Sequence, residues 1–231
     1  MAQTGFFHHI GTFLLFVACI LLIITCISAP VVHDIAILKV DLGAQSQADH
    51  RNVAFGTFGY CLNNFNGGDG CSQSQVGYSP AAVMRVVDGT EFSDYSTDTT
   101  RSLTKAMILH PIACGFNFIA FMLALGAGFV GSFLASLVAL VAFLTTAVAV
   151  IIDFVLFSII KNNVNDDNTG ANAHFSTAAW TTLVSAICSL LGTIVVFLTC
   201  CSGRLHKRRQ RNVMPAKTEY VEAPRRRRRF F

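Results

Sequence analysis

Four long stretches of this chain are almost free of charge, and nothing else limits its fold so strongly. Residues 10–29 hold no acid or base beyond two cysteine thiols; 107–128 and 132–160 form two more apolar runs around a glycine-rich join, and 177–201 is the fourth. Each reaches the roughly 20 residues a helix needs to cross a bilayer core. Only a helix or a closed barrel satisfies its backbone there, and runs this long are helical. Composition agrees, since 53% of residues are hydrophobic and 13% charged, against about 25% charged in a soluble domain. The sequence predicts a four-span membrane domain over 1–205, with spans near 10–29, 107–128, 132–160 and 177–201 and outer loops 30–106 and 161–176. Residues 206–231 read as a basic cytoplasmic tail. The first run lacks a basic leader and meets Pro30 just after its small-residue site, so it reads as a retained span.

Basic residues set the orientation. From residue 202 onward there are eleven Lys and Arg against Glu219 and Glu222, whereas the 30–105 loop has five basic and eight acidic residues. By the excess of positive charge on the cytoplasmic side, the C-terminus is inside, and with four crossings the N-terminus is too. Both loops then face outward, into an oxidising compartment.

The first loop carries Phe55-Gly-Thr-Phe-Gly-Tyr60-Cys61, then Cys71 and Gly77-Tyr78. The alternation Val53, Phe55, Thr57 suits a half-buried strand, as does 71–78. Residues 63–70, dense in Asn and Gly, read as the hairpin loop between them. Cys61 and Cys71 face each other across it, and a disulfide there is worth roughly 3 kcal/mol on the chain-entropy account. Cys19, Cys26, Cys114 and Cys188 fall within spans, where a free thiol acts as a small hydrophobe. Cys200 and Cys201, at the inner end of the fourth span, are either candidate S-palmitoylation sites or two small apolar residues.

These pieces together resemble the fungal PalI family, which joins ambient-pH response regulators to cortical-patch proteins of eisosome-associated domains. The matching residues are the Gly-Tyr-Cys61 to Cys71 element, Thr100-Arg101-Ser102-Leu103-Thr104-Lys105, His110-Pro111 opening the second span, and Asp153 within 151–157. The resemblance covers 10 to about 204, and more distantly the layout is similar to claudins. It implies a fungal plasma-membrane protein acting by association: a PalI-like accessory that supports a membrane pH sensor. Alternatives are an organiser of membrane microdomains or a claudin-like contact protein. PalI-type tails are long, and this one ends within 30 residues of the last span.

Asp153 is the sharpest single residue. It lies seven positions before Ile160, about 10 Å inside the outer end at ~1.5 Å per residue. A carboxyl at that depth faces the bundle interior. His110, Lys105, His33 and His174 are its candidate partners. The pair is either a buried polar clasp or a proton-sensitive contact, since histidine titrates near neutral pH. Pro111 fits a first helical turn. Ala124, Gly128, Ser132, Ala135, Ser136 and Ala139 recur at spacings that permit close helix approach.

In the tail, Arg204, Lys207, Arg208, Arg209 and Arg211 form one basic block. Arg225, Arg226, Arg227, Arg228 and Arg229 form another, ahead of two terminal Phe. Both suit anionic inner-leaflet lipid, and the first block also enforces topology. Nucleic acid is a poor fit for a tethered tail without a folded reader. No phosphate loop, metal-spaced cluster or nucleophile–base pair occurs, and the adjacent His8 and His9 make a poor metal site; neither an enzyme nor a cofactor is expected. The expected fold is an all-α membrane protein: a four-transmembrane-helix bundle with a small disulfide-stapled extracellular β-sheet, claudin-like, partnered by lipid and other membrane proteins.

Overall fold

The computed structural model describes residues 6–43, 51–65, 68–126, 129–167 and 169–213. Four helices are long and apolar enough to cross a membrane. In chain order the elements begin with α1 (Phe6–Cys26), then strands β1 (Leu38–Asp41), β2 (Asn52–Phe55), β3 (Tyr60–Phe65) and β4 (Gly68–Cys71). Helices α2 (Pro80–Val87), α3 (Asp94–Ala106), α4 (Leu109–Leu125) and α5 (Phe129–Asp166) follow, then β5 (Asn172–Phe175) and α6 (Thr177–Val213).

The bundle closes as a ring in which α1 packs on α4, α4 on α5, α5 on α6, and α6 on α1. Its buried positions follow one rule. On α4 they are His110, Ala113, Asn117, Ala120 and Ala124, and on α5 they include Ala135, Ala139, Ala142, Thr146, Ala149 and Asp153. Steps of three and four alternate, a period of 3.5, which is the seam of a left-handed coil. Most of these side chains are small, so the backbones approach closely, as membrane helices do without a hydrophobic drive between them. Large apolar residues such as Phe133, Leu137, Leu144 and Ile151 point outward. Of the small residues singled out from sequence, Ala124, Ala135, Ser136 and Ala139 are buried; Gly128 and the Ser132 side chain lie outside the description.

The cap is a five-stranded antiparallel sheet ordered β4-β3-β2-β1-β5. Its inner face shares one core with α2, Met107 and the end of α5: Ile37, Leu38, Val53, Phe55, Tyr78 and Met84 pack with Leu156, Phe157, Ile160 and Val164. Thus the cap is built around a continuation of α5, not laid on a flat bundle end.

Several expected boundaries move. The first helix stops at Cys26, and residues 27–31 turn. The third span, expected to end at 160, continues to Asp166 because its last turns bury Ile160 and Val164 against the sheet. The expected strand 71–78 is corrected: β4 is Gly68–Cys71, and the chain then turns toward α2. There Ser79 caps α2 by accepting from the Ala82 N–H, with Pro80 in the first turn. β3 reaches Phe65, so the hairpin loop is shorter than 63–70. The fourth helix runs past 201 to Val213.

Candidate functional site

Cys61 and Cys71 are directly opposed on β3 and β4 and form a disulfide. His33 sits beside them; with both sulfurs bonded to each other, that trio offers no thiolate to a metal.

The motif on the same strand has a mechanical explanation. The β2–β3 turn closes with Gly56 N–H donating to Gly59 O at 2.8 Å. A Cβ at Gly56 would overlap the Ala29 carbonyl, and one at Gly59 would come within 3.0 Å of Pro30 Cδ. Only glycine lets the turn lie against the chain leaving α1. Thr57 then locks in: its N–H donates to Ser28 Oγ at 3.1 Å, and its hydroxyl donates to Thr25 O at 2.8 Å. From the other side, the Tyr78 hydroxyl donates to Gly56 O at 2.8 Å, and Thr104 Oγ1 donates to Tyr78 O at 2.7 Å. The two halves of the motif are therefore a clamp joining the sheet to α1 and α3. Burial pushes the Tyr78 phenol well above its usual range, with the Asp153 charge adding to it.

Asp153 lies one helical turn below the cap core, and His110 is its partner, with Nε2 3.0 Å from Oδ2 and exposures of 0% and 1%. The adjacent proline explains the ring's aim. Pro111 has no N–H to offer the carbonyl four residues back, which is that of Met107. His110 takes that carbonyl instead, through its backbone N–H at 3.1 Å and its ring Nδ1–H at 3.1 Å. With Nδ1 donating there, Nε2 faces the carboxyl group. Both ring nitrogens thus face acceptors, and the contact is satisfied only with two protons on the pair: imidazolium with carboxylate, or imidazole with carboxylic acid. Asp153 Oδ1 is buried without a hydrogen-bond partner, and a buried oxygen left so costs about 1–3 kcal/mol. Among the described residues, Cys26 at the end of α1 and Tyr78 in the cap are the other titratable groups that feel Asp153.

The remaining candidate partners are elsewhere. Lys105 runs along Gly77, and His174 on β5 faces Asp41 at 3.6 Å, both half exposed. The side chains of Cys200, Cys201, Arg204, Lys207, Arg208, Arg209 and Arg211 lie outside the described ones, although α6 itself reaches Val213. Arg225, Arg226, Arg227, Arg228 and Arg229 lie outside the described residues altogether.

A second polar rung went unread in the sequence. One heptad below His110, Asn117 donates to Thr146 Oγ1 at 3.3 Å and accepts from Ser189 Oγ at 3.0 Å, joining α4, α5 and α6. Thr146 stands one heptad below Asp153, so the two rungs match. A lone Asn inside an apolar run was the available signal. Farther down, His8 Nε2–H donates to Ala124 O at 3.0 Å, which makes this histidine a helix tie.

The fold is a four-helix bundle whose helices are long and apolar enough to cross a membrane, closed at one end by a disulfide-bonded sheet. The chain belongs to the SUR7/PalI family, whose sequence profile matches residues 7–192. It is similar to the pH-response regulator protein palI/RIM9 of Emericella nidulans, 32% identical over 118 residues, which is 50% of this chain and 18% of the relative. Its similarity to palI/prr-5 of Neurospora crassa is 32% over 116 residues, 50% of this chain and 15% of the relative. For palI/RIM9 of Pyricularia oryzae it is 28% over 109 residues, 47% and 13%. The matches thus cover less than a fifth of these relatives' length.

Proposed function

We propose that this chain is a non-catalytic plasma-membrane accessory of ambient-pH sensing, with both termini cytoplasmic and the cap outside, where it supports a larger sensor. The observation that carries this reading is the buried contact of His110 and Asp153, one turn beneath the cap. Loss of one proton from the pair to alkaline medium leaves a buried net negative charge, and with Nδ1–H still held by the Met107 carbonyl the Nε2 lone pair faces the carboxylate. The least costly relief is for the cap floor to loosen at Met107 and Leu156. An external pH change then becomes a change in the surface offered to a partner. The names of the relatives support the pH part, and the basic residues after 202 support the orientation.

The test is deletion of the gene, with growth compared at acidic and alkaline pH and a tagged copy imaged at the cell surface. A defect confined to alkaline pH, rescued by the wild-type chain but not by Asp153→Asn at equal surface level, is expected. Normal alkaline growth overturns the reading. A second reading, organisation of membrane microdomains, is favoured by the family's joint description with SUR7; static cortical patches with normal alkaline growth would establish it instead.

A further inference from the structure

Away from the cap, α5 and α6 flank an open groove of about 350 Å³, walled by Leu137, Leu140 and Phe143 on one side and Leu190, Ile194 and Phe197 on the other. Two hydroxyls reach its floor, and both are spent inside the bundle. Ser136 Oγ donates to Phe133 O at 2.7 Å, and Thr193 Oγ1 donates to Ser189 O at 2.7 Å and lies 3.0 Å from Ala139 O. The groove therefore offers shape and apolar surface and no free donor, which suits a hydrocarbon chain.

What gives the groove a particular occupant is the helix that forms one wall. Leu190, Ile194 and Phe197 follow steps of four and three, and the same steps continue along α6 to Cys201, Arg204, Arg208 and Arg211. Residues three and four apart share a helix face. The face that lines the groove thus becomes, without interruption, a face bearing three arginine positions. At ~1.5 Å per residue, Arg204 stands about 10 Å and Arg208 about 16 Å beyond Phe197 along the axis. Hydrocarbon surface below and a run of arginine positions above match the two ends of an anionic phospholipid, and arginine is suited to phosphate.

We propose that the α5–α6 groove and the basic face continuing from it form a site for one anionic glycerophospholipid of the leaflet at the α6 C-terminal end. One acyl chain lies in the groove, and the headgroup lies at the level of positions 204, 208 and 211 on the continuing helix face. The site is independent of the His110–Asp153 contact, so either can fail alone.

The test uses the full chain purified in detergent and titrated with phosphatidylserine or phosphatidylcholine of matched acyl chains, with bound lipid counted by native mass spectrometry. Phosphatidylserine should bind the more tightly. Replacing Arg204, Arg208 and Arg211 together by Gln should weaken it by on the order of a hundredfold, about fivefold per arginine, and weaken phosphatidylcholine, whose phosphate charge is offset by its choline, by clearly less. Leu140→Trp, which fills the groove, should weaken both lipids alike. Should Leu140→Trp perturb the bundle, Phe143→Trp gives the same readout. Soluble glycerophosphoserine should not compete. Binding that needs the arginines but ignores groove filling would be plain surface adsorption and would overturn the proposal, as would equal affinity for the two lipids.

Discussion

His110 Nε2 meets Asp153 Oδ2 at 3.0 Å in a place that water does not reach, and the same ring is held from behind by the Met107 carbonyl. Met107 belongs to the cap core, as do Leu156 and Phe157 one turn above Asp153. The pair thus ties the floor of the cap to the top of the bundle on two helices at once. Removing one member of a buried pair costs about 3–5 kcal/mol because the other is stranded. His110→Ala should therefore destabilise the wild type by that amount and an Asp153→Asn background by clearly less. Unfolding in detergent, read as a double-mutant cycle, measures the difference.

The clamp at the β2–β3 turn makes a sharper steric prediction. Gly56→Ala drives a methyl into the Ala29 backbone and should cost about 1–3 kcal/mol, seen as a lower thermal midpoint. Gly115→Ala, with nothing within 4 Å of the new Cβ, should not lower it.

Tyr78 supplies a pH dependence whose sign is fixed. Its phenol is raised by burial in the folded state, whereas in the unfolded chain it ionises near pH 10. Above that pH the unfolded state binds fewer protons, so the contribution from Tyr78 is intact below about pH 10 and falls as pH rises further. Tyr78→Phe should lose about 1 kcal/mol at neutral pH through the missing bond to Gly56 O, and should lose less than wild type between pH 10 and 11. Denaturant midpoints across that range test both parts.

The disulfide should show in labelling. Cys61 and Cys71 should resist alkylation until a reductant is added, while the span cysteines Cys19, Cys26, Cys114 and Cys188 should label on unfolding without reduction. Replacing both bridge cysteines by Ser should cost about 2–5 kcal/mol and expose the β3–β4 hairpin to protease.

Asn117 anchors the lower rung, and Asn117→Leu strands the Ser189 hydroxyl and frees Thr146. Hydrogen bonds inside membrane bundles average about 0.6 kcal/mol and reach about 1.7, so a loss of about 1 kcal/mol is expected in the same unfolding measurement. Replacement of the exposed Phe118 by Leu should leave stability within about 0.5 kcal/mol.

The four long apolar helices were legible because charge-free runs of this length have few other solutions. The cysteine pair was legible because the Asn- and Gly-rich residues between them mark a hairpin. Strands β1 and β5 were not. Leu38–Asp41 and Asn172–Phe175 are four residues each, too short for periodicity to register, and they pair with each other across more than a hundred residues of chain. Helix α3 was missed because its sequence, rich in Thr, Ser and Asp, has weak helix propensity; Ser93 capping its first turn and Leu103 and Thr104 packing inward hold it. The His110–Asp153 contact was one of four pairings the sequence allowed. Choosing among them required the Met107 carbonyl, whose freedom depends on Pro111, two residues that carry no charge signal.

The most direct measurement of the central claim is hydrogen exchange in bilayer-reconstituted protein at acidic and alkaline pH, corrected for the intrinsic chemical rate. Amides of 53–62 and 104–112 should open more readily at alkaline pH in the wild type, and Asp153→Asn should remove that dependence while leaving the disulfide formed. The same pH dependence in both proteins would contradict the account and leave His110 and Asp153 as a structural tie alone.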